Sequence, residues 1–485
     1  MSTRRDFIKT TVLTGASLAF TGCGRRLRGP ATATDTDAFR NFRASLGGRV
    51  ILPGDPEYDS TRRVVWWNPA TDKHPAMIAQ CKHDDDVARC IDFARRQELT
   101  LAVRSGGHSF LGWGTGDGLV IDVSRMKDIA LDPVQRTARV GAGVTAEEML
   151  SVAAKHGLAP VLGECASVGA GLALGGGLGW LSGKYGASCD NLLSARLITA
   201  GADSATTDEV SNEDLFWAIR GGGGNFGVVT SFEYRLHPVR EVLAGGFAYP
   251  VRDARSVLPF FQDFMSTAPD ELQALANLSS AGGGSLKVVL VHAGDLNAGE
   301  RIVSQFRRFR APQRDWVQRR SYADTYTMPP YSDDDGPSCA FHAIRGSYLE
   351  RLSDESIDVV LARFEEVPPA CEFGFNLDHY THGEVCRVAP DSTAFELRAP
   401  GAVHVAFGAV WDAPERAAAC AEWLDETWKQ LQPYAGGRMY ANYISAEGEL
   451  AAKAAYGRNY ARLVSIKRRY DPDNVFRGNL NIRPS

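Results

Sequence analysis

The sequence predicts an α+β fold with a glycine-rich first half and a middle part that forms an antiparallel sheet with helices on one face. The chain has 485 residues, 44% hydrophobic and 23% charged, which is long enough for two domains. Many of its 49 glycines cluster between 104 and 227. From about residue 241, strand-like apolar runs alternate with charged helices.

The first half is predicted to consist of short strands and helices. Residues 64–103 predict a first strand, a loop and a helix, and the carboxylates of Asp84, Asp85 and Asp86 suit the N-terminal end of that helix. Thr145 is predicted to cap a second helix because Glu148 follows three residues later. The other predicted elements are strands at 101–103, 119–123, 138–143, 192–200 and 228–234 and a helical turn at 214–220.

The middle part supplies the pattern of the predicted antiparallel sheet. Apolar runs at 287–291 and 402–411 predict strands, and charged segments at 354–366 and 414–430 predict helices. After residue 432 we expect the chain to return to the first domain.

The N-terminal segment predicts export rather than a part of the fold. Arg4 and Arg5 form a twin-arginine pattern, and the apolar stretch that follows is too short to span a membrane. Cys23 lies in a lipoprotein-like cleavage box, so the segment ends either in a lipid anchor at Cys23 or in cleavage further on. We expect a periplasmic or extracellular protein. The net charge of -5 gives no indication of nucleic-acid binding.

The cysteines leave two interpretations open. Cys81 with Cys90, or Cys371 with Cys386, could form a disulfide in an oxidising compartment. Each of these residues could equally be a small buried hydrophobe.

Two glycine-framed loops carry the main chemical signal. Arg104-Ser105-Gly106-Gly107-His108 places an imidazole in a flexible turn, and Gly163-Glu164-Cys165-Ala166-Ser167-Val168-Gly169 places a thiol in another. No histidine lies at helical spacing from His108, so the sequence indicates no metal site. An ordinary loop histidine and a Cys–His hydrolase are the alternatives. Two nucleophiles on such loops favour a large cofactor held covalently at two points.

Further glycine runs are suited to phosphate, because bare backbone N–H groups can converge on it. Residues 175–177 and 221–227 both fit that role. The run that starts at Gly169 does not have the spacing of a dinucleotide-binding fingerprint, and the sequence has no P-loop.

Together these motifs resemble those of the berberine bridge enzyme-like flavin oxidases, within the vanillyl-alcohol oxidase superfamily. The resemblance covers residues 60–240 and resumes in the tail at 440–443, 456–460 and 470–476. It implies a two-subdomain FAD-binding domain of the p-cresol methylhydroxylase type. The implied division is a signal and linker at 1–37, an FAD-binding domain at 38–240, a substrate-binding domain at 241–431 and a C-terminal segment at 432–485.

The resemblance also implies roles for single residues. His108 takes the family position that bonds to the flavin 8α-methyl carbon, and Cys165 the position that bonds to flavin C6 in doubly linked members. There is one residue fewer between Gly169 and Gly175 than the family usually shows. The implied cofactor-binding residues are Arg104, Ser105, Gly106, Gly107, His108, Ser109, Cys165, Val168, Gly169, Gly175, Gly176, Gly177, Asn225, Gly227 and Val229.

The implied activity is that of an oxidase. A valine at position 168 leaves space for dioxygen in the family, which implies release of hydrogen peroxide. Several relatives have a tyrosine where this chain has Leu178, so the base is expected to be Tyr440 or Tyr443. A buried tyrosinate can take a proton if cationic neighbours lower its pKa.

The substrate class remains open between oligosaccharides, other secondary alcohols and amines. Trp316, Tyr331, Trp411 and Trp423 could stack on a sugar or could belong to the core. The alternative functions are a flavin dehydrogenase with a quinone or another non-oxygen acceptor, and a glycine-rich binding protein without redox activity.

Overall fold

The structure, a computed structural model, confirms the predicted α+β class and the antiparallel sheet. It describes residues 37–328, 341–368, 372–444 and 448–484. The segment with Arg4, Arg5 and Cys23 lies outside the described residues. Within those residues, no helix has both the length and the apolar character needed to cross a membrane.

The first sheet positions the loop that carries His108. Its strands lie in the order Arg49–Ile51, Met77–Gln80, Leu119–Asp122 and Leu101–Arg104, and the last three are parallel. Helix Asp84–Arg96 buries its apolar face in the same core. Since strand Leu101–Arg104 ends at the edge of the sheet, the loop 104–109 emerges there.

The prediction of a strand at the start of 64–103 is wrong. Residues 64–67 have irregular backbone, and the strand of this region is Met77–Gln80. The backbone N–H of Val65 donates to the carbonyl of Gly107 at 3.1 Å, and Trp66 Nε1 donates to the carbonyl of His108 at 3.1 Å. These bonds hold the segment against the loop and take the place of strand pairing.

The second sheet is antiparallel and positions the loop with Cys165. The predicted capping box is present: Thr145 N–H donates to Glu148 Oε2 at 2.8 Å, and Glu148 N–H donates to Thr145 Oγ1 at 3.4 Å. The strands lie in the order Ile129–Asp132, Thr137–Gly141, Val228–Arg235, Leu192–Ile198 and Ser204–Asp208. A two-stranded pair joins Leu158–Ala159 to His237–Pro238, and the helices are Asp37–Ser45, Tyr58–Arg62, Ala146–Ala153, Ser182–Tyr185 and Glu213–Ile219.

The middle part forms one large antiparallel sheet. Along strand Ser285–His292, Leu286, Val288 and Leu290 pack with the helices, whereas Val289 and Val291 join the core of the first half. The long helices therefore cover one face, as predicted. The strands lie in the order Arg314–Asp315, Glu241–Pro250, Ser285–His292, Leu272–Ser279, Glu372–Asp378, Val403–Trp411 and Phe341–Leu349, with Gln318–Ser321 beside Glu241–Pro250. The helices are Ala254–Ser266, Leu296–Phe309, Asp354–Glu365 and Ala417–Leu431, with a short one at Glu384–Arg387.

The C-terminal tail packs on the first half through helices Glu449–Tyr456 and Tyr460–Tyr470. Its fully buried Lys467 donates to Asp471 Oδ2 at 2.6 Å and to the carbonyls of Asn225 at 2.8 Å and Phe476 at 2.9 Å. The ammonium thus connects the tail to the glycine run 221–227. The domain boundaries given above stay predictions.

The cysteine pairs have different outcomes. Cys81 and Cys90 are buried thiols whose sulfur atoms lie 3.8 Å apart, and both are free, as in the small-hydrophobe interpretation. The other pair includes Cys371, which lies outside the described residues.

Candidate functional site

A cavity of about 610 Å³ is enclosed by the first half, the large sheet and the tail. Its wall includes the loops 104–109 and 163–175, and Asn376 and Ala406 of the sheet. The structure therefore brings the two glycine-framed loops and the tail tyrosines to one place. The predicted site residues on the wall are Arg104, Ser105, Gly106, Gly107, His108, Ser109, Cys165, Val168, Gly169, Gly175, Asn225, Gly227, Val229, Tyr440 and Tyr443.

Hydrogen bonds to neighbouring backbone fix the loop 104–109. The guanidinium of Arg104 donates to the carbonyls of Thr61 and Arg63. Ser105 Oγ donates to the carbonyl of Ala142 at 2.7 Å. The loop turns at Gly107, whose φ of +71° favours glycine. The loop is therefore held by protein hydrogen bonds at both of its flanks.

The two loops touch through their backbones. A Cβ placed on Gly106 would lie 2.7 Å from the backbone nitrogen of Gly169 and 2.8 Å from the carbonyl oxygen of Ser167. Backbone atoms cannot give way as a flexible side chain can. Glycine at 106 is therefore required for the loops to meet.

His108 and Cys165 contact the same hydroxyl group. His108 Nε2 and Ser167 Oγ are 2.9 Å apart, and Cys165 Sγ lies 3.7 Å from the same oxygen. The imidazole and the thiol therefore lie side by side on the cavity wall.

Two predicted glycines lie behind the wall rather than on it. Gly176 packs against Phe395, and Gly177 against Ser188, with φ of +107° and +81°. These conformations form a tight turn behind Gly175, which does face the cavity. The predicted phosphate contact is therefore available to Gly175 but not to its two neighbours.

The side chain of Asn225 connects the glycine run to the tail. Its amide nitrogen donates to the carbonyls of Gly222 at 2.9 Å and Leu480 at 3.1 Å, and its oxygen accepts from the N–H of Ile482 at 3.0 Å. This side chain is fully buried and acts within the protein. Asn225 lines the cavity, but its side-chain amide is bonded to the protein itself.

The two tail tyrosines have different surroundings. The Tyr440 hydroxyl oxygen accepts from the N–H of Gly177 at 3.1 Å and from Asn442 Nδ2 at 3.0 Å. Burial raises the pKa of Tyr440 above its usual range, and these donors lower it in part. Burial also raises the pKa of Tyr443 well above its usual range, and the carboxylates of Asp378 and Glu164 raise it further.

These pKa directions differ from the expectation that cationic neighbours lower the pKa of a catalytic tyrosine. The electrostatic neighbours of Tyr443 are anionic, and those of Tyr440 are mainly hydrogen-bond donors. Both tyrosines are therefore protonated at neutral pH.

The sequence interpretation missed several residues of the wall. Glu164 is buried beside Cys165, inside the motif that was quoted for its thiol, and its carboxyl group beside a nucleophile was an available signal. Leu178 was named in the sequence only as the replacement for the family tyrosine, and the structure places it, buried, on the cavity wall. Asn376 and Tyr380 come from the middle part, where the sequence offered no motif.

The proposed sugar-stacking residues do not line the cavity. Trp411 and Trp423 are buried in the core between the large sheet and its helices. Trp316 packs against the core of the first half. Tyr331 lies outside the described residues. The three tryptophans therefore give no support for a carbohydrate, because the sheet needs their apolar area for its own packing.

Comparison with known proteins gives two family matches. A family described as FAD binding domain matches residues 75–207, and one described as berberine and berberine like matches residues 439–483. The (R)-6-hydroxynicotine oxidase of Paenarthrobacter nicotinovorans is 31% identical over 469 residues, which cover 91% of this chain and 97% of that protein. An FAD-linked oxidoreductase of Bacillus subtilis is 30% identical, with 91% and 99% covered.

Solved structures agree with these matches. The 6-hydroxy-D-nicotine oxidase from Arthrobacter nicotinovorans has a TM-score of 0.83 at 29% identity and covers 91% of this chain and 99% of its own. The glucooligosaccharide oxidase of Acremonium strictum, at 21% identity with 93% and 99% covered, shares the fold with a TM-score of 0.82.

The fold, the cavity and these relatives define an FAD-dependent oxidoreductase. More closely, the chain belongs to the berberine bridge enzyme-like FAD-linked oxidoreductases, as its motifs predicted.

The cavity wall fits FAD. The backbone N–H groups of Gly106 and Gly107 make no hydrogen bond to another described residue, so they are available to pyrophosphate oxygens. A Cβ built on Gly171, which lines the cavity, meets no atom within 4 Å, so the wall is open at this point. The cavity volume lies within the roughly 300–1,000 Å³ typical of ligand sites.

Proposed function

We propose that this protein is an exported FAD-dependent oxidase with covalently bound flavin. It removes a hydride from a carbon that bears a hydroxyl or an amine group, and it reduces dioxygen to hydrogen peroxide. When bound, FAD accepts the hydride and passes the electrons on. The protein residues hold the cofactor, orient the substrate and take its proton.

The observation that carries the covalent attachment is the shared contact of His108 and Cys165 with Ser167. Both nucleophiles lie on the wall of one cavity, on loops that are packed against each other. Because the imidazole and the thiol contact the same hydroxyl group, they are close enough to bond to two neighbouring positions of one flat ring. His108 is the first link and Cys165 the second.

Val168 supports dioxygen as the electron acceptor. Val168 lines the cavity three residues after Cys165, and a valine occupies less space than an isoleucine. The smaller side chain would leave more room for dioxygen once flavin is bound.

Of the two tyrosines, Tyr440 is the better general base, and it acts as the tyrosinate: its own proton passes to solvent before it takes the substrate proton. Its hydroxyl oxygen already accepts hydrogen bonds from Gly177 and Asn442, and the same bonds stabilise the negative oxygen that forms when its own proton leaves. Tyr443 faces Asp378 and Glu164, which oppose a negative oxygen there. We assign Tyr443 to substrate contact.

The substrate is a small molecule that carries an alcohol or an amine. Relatives of known structure are named as oxidases of glucooligosaccharides and of 6-hydroxy-D-nicotine, which represent both chemistries. The twin-arginine pattern at Arg4 and Arg5 supports export to the periplasm or the outside of the cell, with or without a lipid anchor at Cys23.

Acid precipitation tests the proposal directly. We expect a yellow pellet from the wild type, a yellow pellet from His108→Ala through the link to Cys165, and a colourless one from His108→Ala/Cys165→Ser. A panel of sugars, secondary alcohols and amines, read by peroxide release, tests the oxidase activity. Substrate-dependent flavin bleaching without peroxide would instead indicate a dehydrogenase with another acceptor.

A further inference from the structure

Ser167 occupies a fixed position between the two nucleophiles. Its neighbours are tied to the start of helix Ala146–Ala153: the N–H of Ala146 donates to the carbonyl of Val168 at 2.9 Å, and the N–H of Glu147 donates to the carbonyl of Ala166 at 3.1 Å. The capping box at Thr145 and Glu148 stabilises that helix start. The residues on either side of Ser167 are therefore bonded to the start of this helix, which fixes the backbone that carries the hydroxyl.

The opposite side of Ser167 is fixed by the loop that carries His108. Gly106 approaches the Ser167 carbonyl so closely that a Cβ would lie 2.8 Å from it. The distance from Ser167 Oγ to His108 Nε2 is thus set by two loops in backbone contact. The contact at 3.7 Å from the same Oγ to Cys165 Sγ falls within one short turn.

A hydroxyl can accept one hydrogen bond and donate another at the same time. When His108 Nε2–H donates to Ser167 Oγ, the hydroxyl proton of Ser167 is available to Cys165 Sγ. One side chain then fixes the tautomer of the imidazole and the orientation of the thiol.

Resting on the covalent attachment proposed above, we infer that Ser167 is a positioning residue for both flavin links. At the first link, a bond forms between an imidazole nitrogen and the 8α-methyl carbon while one N–H and one C–H bond break. At the second, a bond forms between sulfur and C6 while one S–H and one C–H bond break. In each case the two electrons and two protons released reduce one dioxygen to hydrogen peroxide.

Because Ser167 contacts both His108 and Cys165, we expect its loss to affect both covalent links to flavin. A residue that positions only the imidazole would affect attachment at His108 alone, whereas Ser167 acts on both attachments. Its effect is on the rate at which the bonds form, because FAD binding itself depends on the glycine backbone and the tail.

The test uses full-length protein from riboflavin-starved cells, to which FAD is added in air. Attachment is followed by intact mass after acid quenching, and non-covalent FAD affinity by quenching of flavin fluorescence. Cys165→Ser isolates the histidine link, and His108→Ala isolates the cysteine link. In each background we expect Ser167→Ala to slow attachment by about tenfold or more, with FAD affinity within twofold of its parent.

Two control variants separate positioning from general loss of structure. Ser167→Thr keeps the hydroxyl and is expected to restore attachment in both backgrounds. Ser151→Ala removes an exposed hydroxyl that donates to the carbonyl of Glu148, and is expected to change nothing.

The outcomes distinguish this inference from the function on which it rests. Wild-type protein that never gains covalent flavin overturns both. Wild-type protein that forms both links, together with Ser167→Ala at the parental rate in either background, overturns the role of Ser167 alone. Equal slowing by Ser167→Thr and Ser167→Ala also overturns it.

Discussion

The hydroxyl oxygen of Tyr440 accepts a hydrogen bond from the backbone N–H of Gly177, at 3.1 Å across 263 residues of sequence. The bond joins the tail to the tight turn behind Gly175. It gives the glycine run a function different from phosphate binding, because the N–H of Gly177 points at a tyrosine and not into the cavity.

We predict that Tyr440→Phe lowers kcat by about 10²–10⁴-fold, the usual contribution of a general base. The reason is that Tyr440 is the tyrosine whose oxygen is surrounded by donors. Tyr443→Phe is expected to raise KM more than it lowers kcat. Steady-state peroxide release, normalised to flavin content, separates the two. A larger loss of kcat in Tyr443→Phe would assign the base to Tyr443.

Gly106→Ala is expected to separate the two loops and to weaken FAD binding. Its methyl group would meet backbone atoms of Ser167 and Gly169, and overpacking of this kind costs about 1–3 kcal/mol. Gly171→Ala is the matched control, since its methyl group meets no protein atom and leaves the apoprotein as stable as the wild type. Thermal unfolding of the FAD-free proteins checks this, and equal melting temperatures for both variants would contradict the loop contact.

Lys467→Met is expected to destabilise the fold by about 3–5 kcal/mol, because it leaves the carboxylate of Asp471 buried without its cation. Lys453→Met removes an exposed ion pair with Glu449 and is expected to leave stability unchanged. Urea unfolding measures both. A second substitution, Asp471→Leu, should recover part of the loss in Lys467→Met. Wild-type stability in Lys467→Met alone would show that the ion pair is dispensable.

Stability is expected to fall as the pH drops below 6.5. Burial lowers the pKa of His379 and of His404 to about 3, against 6.5 ordinarily. The unfolded chain therefore takes up protons first, so the stability from neutral imidazoles is present above pH 6.5 and is lost as the pH falls toward 3. His404→Phe should flatten this slope, whereas His156→Phe, at an exposed position, should not. Urea midpoints between pH 7 and pH 4 provide the measurement.

The parts of the fold that were predictable are those with local signals. Helix Asp84–Arg96 begins with three acidic residues and carries a clear apolar face, and Thr145 with Glu148 is a capping box recognisable from spacing alone. The strand placed near residue 64 was wrong because Trp66 donates to the carbonyl of His108, while Trp67 stacks on Phe341 of the large sheet. Both contacts are distant in sequence and have no local signal.

The site was predictable where the family motif coincides with the wall. His108, Cys165 and the tail tyrosines were found in this way, and they line one cavity. Ser167 and Glu164 lie in the quoted motif 163–169, but no chemical role for either of them followed from the sequence. The role of Ser167 depends on its distances to His108 and Cys165. Tyr380 could not be predicted, because it reaches the cavity wall through the pairing of strands Glu372–Asp378 and Val403–Trp411, which has no motif in the sequence.

The hydrogen bonds between the tail and the glycine run also make the pocket depend on long-range folding. Asn479 donates to the carbonyl of Gly224 at 3.0 Å, and the N–H of Ile482 donates to Asn225. Both partners on the tail side lie more than 250 residues further along the chain than the glycine run that they bind. The pocket is therefore complete only when the tail has packed onto the first half, and a chain in which the tail is unpacked has an open wall at the glycine run.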